Sequence, residues 1–219
     1  MTGHAAAVPT RSPGWVPFAL VALVLVPAVA GSLRVLELAG GSTVPPDPRF
    51  TASPVPVVVH VVCAVGYGIV GAFQFSATLR RRHPGRHRKA GRVLVVLGLA
   101  VALSALWMAL FYPRQPGTGE LARVFRLAFG TGMAAGIVLA FTAIRRGDVA
   151  RHRAWMTRAY ALGLGAGTQV FTQGIGEAVF GVGVLETDLM LGAGWIVNLA
   201  VAEYVIRGRT GRRAEAVSP

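Results

Sequence analysis

The chain has 219 residues, 53% of them hydrophobic and only 14% charged, with a mean hydropathy of +0.56 and a formal net charge of +13. Soluble domains carry about a quarter charged residues, so the composition excludes an ordinary water-soluble fold and points to a membrane protein. The basic residues fall in short blocks between apolar runs rather than on one face, which argues against a nucleic-acid surface and makes the charge a marker of topology.

Residues Met1 to Gly14 are polar and proline-containing, an expected disordered start. Trp15 to about Leu33 is long enough to cross a bilayer core, which takes roughly 20 helical residues. Pro17 suits a first helical turn, whereas Pro27 is expected to kink the span. Ala28-Val29-Ala30 before Gly31 also resembles a signal-peptidase site, so cleavage of this span is an alternative. A Pro/Gly-rich connector with Asp47 and Arg49 runs from Gly40 to Pro54. Five further spans are expected at Val55–Leu79, Val93–Tyr112, Val124–Ile144, Met156–Phe180 and Leu189–Ile206, ahead of a basic tail from Arg207 to Pro219. The fold class is therefore an all-α polytopic bundle of about six spans over residues 15–206.

Orientation follows from the arginines and the single lysine, Lys89, in the short connections. Arg11, seven basic residues in Arg80–Arg92, five in Arg145–Arg158 and four in Arg207–Arg213 share one side. Only Arg34, Arg49, Arg114, Arg123 and Arg126 fall on the other. The expectation is a multi-pass protein of the cytoplasmic membrane with both termini inside. Cys63, in an apolar run, reads as a small buried hydrophobe.

Leu79-Arg80-Arg81 and Arg86-His87-Arg88 recur as Ile144-Arg145-Arg146 and Arg151-His152-Arg153, in each case 65 residues later. Spans two and three thus read as one hairpin and four and five as its duplicate, forming a four-helix core. His87 and His152 then occupy equivalent positions near the basic face.

The runs Gly71-Ala72-Phe73-Gln74-Phe75, His87-Arg88 with Gly91-Arg92, and His152-Arg153-Ala154-Trp155-Met156 with Arg158-Ala159-Tyr160, followed by Gly167-Thr168-Gln169, carry a family likeness. Between about Arg49 and Phe171 the chain resembles the bacterial membrane proteins grouped as domain of unknown function number twenty-three hundred and six. The resemblance implies a multi-pass membrane protein and assigns no reaction.

Polar residues inside the spans mark the candidate sites. His60, Tyr67 and Gln74 are spaced by seven and share a helix face, and Gln169, Gln173 and Glu177 repeat at four. By helical rise, His60 lies roughly 8 Å from the basic-poor end of its span, near the expected heights of Arg126 and Glu177. Charges in hydrocarbon need partners, so Arg126 and Glu177 are expected to pair with His60 or Gln173 nearby, either as a satisfied polar cluster or as a ligand or quinone-headgroup site. Gly163 with Gly167, and Gly132 with Gly136, have the spacing of close helix packing, whether within one chain or in a homo-oligomer.

His87 and His152 could clamp a b-type haem, with Arg86, Arg88, Arg151 or Arg153 for its propionates. The alternative is a basic belt in which Arg88, Arg92, Arg153 and Arg158 meet anionic lipid phosphates. The repeat partner of His60 is Phe125, so a second histidine pair is missing. No zinc-ligand pattern or hydrolase nucleophile motif is present, and the expected function is a non-enzymatic protein with a polar intramembrane cavity that binds or passes a small molecule. A haem- or quinone-linked electron carrier is the alternative.

Overall fold

The computed structural model describes residues 14–41 and 45–215, with side chains through 208. The expected disordered start and the last residues of the basic tail lie outside the described residues. Nine helices follow one another there: α1 (Val16–Leu38), α2 (Pro48–Thr51), α3 (Val55–Gln74), α4 (Ala77–Arg82), α5 (Pro84–Phe111), α6 (Glu120–Arg145), α7 (Val149–Gly163), α8 (Gly165–Phe180) and α9 (Val184–Glu215). No strand occurs among the described residues. Five helices, α1, α3, α5, α6 and α9 as far as Gly208, are long and apolar enough to cross a membrane. This is the polytopic helical bundle that composition demands, because a backbone in hydrocarbon must satisfy its own hydrogen bonds.

The duplicated hairpin is visible in the element starts. α3 and α6 begin 65 residues apart, and so do α5 and α7. α3 packs on α5 and α6 on α7, and these four helices enclose the core around Tyr67, Leu94, Ile137 and Tyr160. α5 has 28 residues, about 42 Å, so about eight residues exceed a hydrocarbon core of about 30 Å. That excess puts its arginine-bearing start, with His87 and Arg88, beyond the apolar layer.

Two expectations change. The span expected at Met156–Phe180 is not one helix: it is divided at Leu164 into α7 and α8, and α8 leaves the four-helix core to lie between α9 and α1. Glycine weakens a helix interior by about 1 kcal/mol relative to alanine, and Leu164 stands between two of them. Their missing side chains are also used. The Tyr67 ring would be 2.9 Å from a Cβ at Gly163, and the Trp195 indole would overlap one at Gly165. Second, α9 runs on to Glu215, into the stretch read as a tail, while α1 carries Pro27 within its span Val16–Leu38.

Close approach through glycine recurs across the bundle. Gly167 lets α8 meet the Leu23 carbonyl of α1, and Gly98 lets α5 meet the Tyr67 ring at 2.6 Å from where a Cβ would stand. Gly132 and Gly136 face Leu162 and Ala159 of α7, so all four glycines of the two expected motifs pack within the chain. At the arginine-poor end, the Arg49 guanidinium clasps Asp47 and holds its carboxyl below the usual carboxylate range. Tyr112 closes the same connector by donating its hydroxyl to the Ser53 carbonyl at 2.5 Å.

Gly167→Ala and Gly174→Ala separate these effects within one helix. The first drives a methyl into the α1 backbone and should lower stability by about 1–3 kcal/mol. The second meets nothing within 4 Å and should leave the melting temperature unchanged or raised, as read by thermal unfolding in detergent.

Candidate functional site

Polar side chains gather at the two ends of the bundle. At the arginine-poor end, the α5–α6 loop, the end of α8 and the start of α9 surround a cleft of about 370 Å³ lined by Gln115, Thr118, Gln173, Val184 and Thr187. A smaller recess of about 50 Å³ adjoins it, with Gln173 and Thr187 in common and Glu177, Glu186 and Met190 as further walls. Neither Glu177 nor Glu186 belongs to an ion pair among the described residues. Gln173 and Glu177, two members of the α8 stripe, are both on the wall of this recess.

The expected pairing of Arg126 with Glu177 is not formed. Arg126 donates to the Gln115 side-chain oxygen at 2.8 Å, and the carboxylate that bears on its charge is Asp188. His60 is elsewhere again. Its Nδ1 lies 3.1 Å from both the Val101 carbonyl and the Ser104 hydroxyl of α5, so it fastens α3 to α5. Helical rise estimates the height of a residue along the membrane normal but not which helices adjoin, and His60 and Arg126 bond different partners.

The polar stripe of α8 has two uses. Gln169 is buried and donates to the Leu191 carbonyl at 2.9 Å, Thr172 donates to the Met190 carbonyl at 2.7 Å, and Thr168 donates to the Asn198 side-chain oxygen at 2.7 Å. These three hold α8 on α9. The continuation of the stripe, Gln173 and Glu177, reaches the recess. Tyr67 is 2% exposed, with its ring 5.7 Å from that of Tyr160; Tyr160 donates its hydroxyl to the Gly68 carbonyl at 2.6 Å.

Asp188 is one of the residues that sequence reading missed. It is 2% exposed, and its carboxylate accepts the Gly119 amide at 2.9 Å and the Ala122 amide at 3.0 Å, capping α6 from a helix 66 residues further along. A helix start leaves amide groups unpaired, and a carboxylate there also meets the positive end of the helix dipole. A Cβ at Gly119 would stand 2.8 Å from that carboxylate, which explains the glycine. The signal was a lone Asp beside an apolar run, hidden because the span was drawn from Leu189.

At the arginine-rich end, the repeat brings its two histidines together. His152, Arg80, Arg153 and Arg88 all lie close enough to His87 to act on its charge. His152 Nδ1–H donates to the Ala140 carbonyl at 3.0 Å, whereas His87 Nδ1 is buried without a hydrogen-bond partner. The Gln74 side-chain nitrogen, at the end of α3, is buried and unpartnered in the same way. Arg88, Arg92 and Arg153 are exposed. Arg158 is not available to lipid phosphate in the manner expected: its guanidinium makes two hydrogen bonds to Glu203 of α9 and stacks 4.9 Å over Trp155. Sequence reading left Glu203 out, and with it the partner.

Removing the Asp188 cap should cost about 1–3 kcal/mol, the price of leaving buried amides unpaired. Asp188→Ala should accordingly unfold at lower temperature than the parent, with Asp188→Asn, which keeps one acceptor oxygen, falling between the two.

No curated protein and no solved structure matches the chain. A family model described as a predicted membrane protein matches residues 57–206, from the first turn of α3 to the end of the last apolar run. The match spans both hairpins, the divided helix and α9, so the chain belongs to the DUF2306 family of membrane proteins.

Proposed function

We propose that this membrane protein binds a small cation-bearing molecule in the cleft at its arginine-poor end. The observation that carries the reading is the pair of carboxylates, Glu177 and Glu186, on the wall of a recess that opens beside the 370 Å³ cleft. That volume falls within the range of small-molecule sites, about 300–1,000 Å³. Gln115, Gln173, Thr118 and Thr187 add amide and hydroxyl groups that can accept from an ammonium group and orient it. By the distribution of basic residues, the arginine-rich end faces the cytoplasm of the cell and the cleft faces outward.

The reading is of binding rather than passage. Between the two ends the core is filled: Ala72, Ile137 and Ala140 are 0% exposed and Leu94 and Tyr67 2%. A solute entering the cleft meets packed side chains below it. Specificity would come from charge, since two unpaired carboxylates favour a cation and repel anions.

Calorimetric titration of the detergent-solubilised full chain with ethanolamine and with putrescine tests this. Saturable binding is expected, weakened about tenfold by Glu177→Gln and again by Glu186→Gln, the loss of one charge-assisted hydrogen bond each. An affinity that is unchanged in the double variant would sink the proposal.

A further inference from the structure

The arginine-rich end carries a second, separate site. Gln74 closes α3, His87 stands in the first turn of α5, and only the six residues of α4 and its flanking turns lie between them. Both present a buried side-chain nitrogen without a partner. The amide nitrogen of a glutamine can only donate, and an imidazole with its other nitrogen free can donate as well. Unsatisfied buried donors are rare in folded proteins and call for an acceptor.

The surroundings say what kind of acceptor. Arg80 from α4, Arg88 from α5, and His152 and Arg153 from α7 lie near enough to His87 for their charges to bear on it. The carboxylates described at this end are already engaged: Asp148 accepts the Arg151 amide at 2.9 Å, and Glu203 is bound by Arg158. The duplicate offers an internal comparison. His152 finds the Ala140 carbonyl of unbroken α6, while the residue corresponding to Ala140 in the first copy is Phe75, where α3 has already ended. In the first copy that position lies past the end of α3, and His87 Nδ1 has no hydrogen-bond partner there.

We infer that Gln74, His87, Arg88 and Arg153 form a binding site for a phosphoryl group at the arginine-rich end of the bundle. A phosphoryl group supplies several acceptor oxygens and negative charge at one point, which suits donors and cations carried at the same end of three helices. An anionic phospholipid headgroup and a soluble phosphate compound present the same chemistry.

The full chain, purified in a neutral detergent, is followed by thermal unfolding while phosphatidylglycerol, phosphatidylcholine or inorganic phosphate is added at constant ionic strength. Phosphatidylglycerol should raise the melting temperature saturably and phosphatidylcholine should not. The half-saturating concentration should rise about tenfold in His87→Ala and in Arg153→Gln, as expected for loss of one hydrogen bond to a charged group. Arg114→Gln, at the opposite end, should leave it unchanged. Because the ligand-induced shift is read within each variant, a variant of lower stability remains informative, and Arg88→Gln, an exposed position, gives the same test with little change in packing. An equal shift from inorganic phosphate alone supports the site and assigns it to a soluble ligand. Equal shifts from both lipids, or a lipid shift unaltered in all three variants, overturn the inference. A Soret band that disappears in His87→Ala and His152→Ala would also overturn it, by assigning the cluster to haem iron.

Discussion

Everything in the bundle is arranged around the ring of Tyr67. It stands in the middle of α3, against Gly98 of α5 on one side and Gly163 of α7 on the other, with the Tyr160 ring beside it. In lipid, where apolar surface gains nothing by leaving its solvent, helices associate through shape, and a large ring entering the space above two glycines is one of the few ways to make that shape specific. The same contact sits next to the division of the helix at Leu164. Because α7 ends there and α8 sets out towards α1 and α9, the second hairpin stops copying the first, and the cleft at the arginine-poor end exists on account of that divergence.

The two ends of the molecule are chemically opposite. One holds carboxylates without ion-pair partners in a recess; the other holds guanidinium groups and histidines around unpartnered donors. Between them the described core is packed around Ile137, Ala140, Leu94 and Tyr67. Glu203 and Arg158 illustrate how charges that do enter the helical layer are handled: they are matched across α7 and α9 and shielded by the Trp155 face.

Much of the scaffold was legible because it depends on properties a single chain displays. Hydrophobic run lengths located the crossing helices, arginine spacing revealed the 65-residue repeat, and glycine spacing marked close approaches that the structure fills from within the chain. What could not be read depends on neighbours. Gly163 and Gly165 are tolerated or disruptive according to whether a ring stands over them, and only the fold places Tyr67 and Trp195 there. Helical rise gives Arg126 and Glu177 similar expected heights, but it is Gln115, on a loop, that Arg126 bonds. Arg158 resembled its exposed neighbours Arg88 and Arg153 in sequence, and differs from them only through a glutamate 45 residues later.

The carboxylate of Asp188 sets a timetable for assembly. The first amides of α6 emerge from synthesis well before the residue that will accept their hydrogens, because the acceptor lies 66 to 69 positions further along the chain. Until then those amides must stay at the wet mouth of the bilayer, since no hydrocarbon position can satisfy them. The start of α6 is therefore completed only when α9 arrives, and the later helix latches the second hairpin in place.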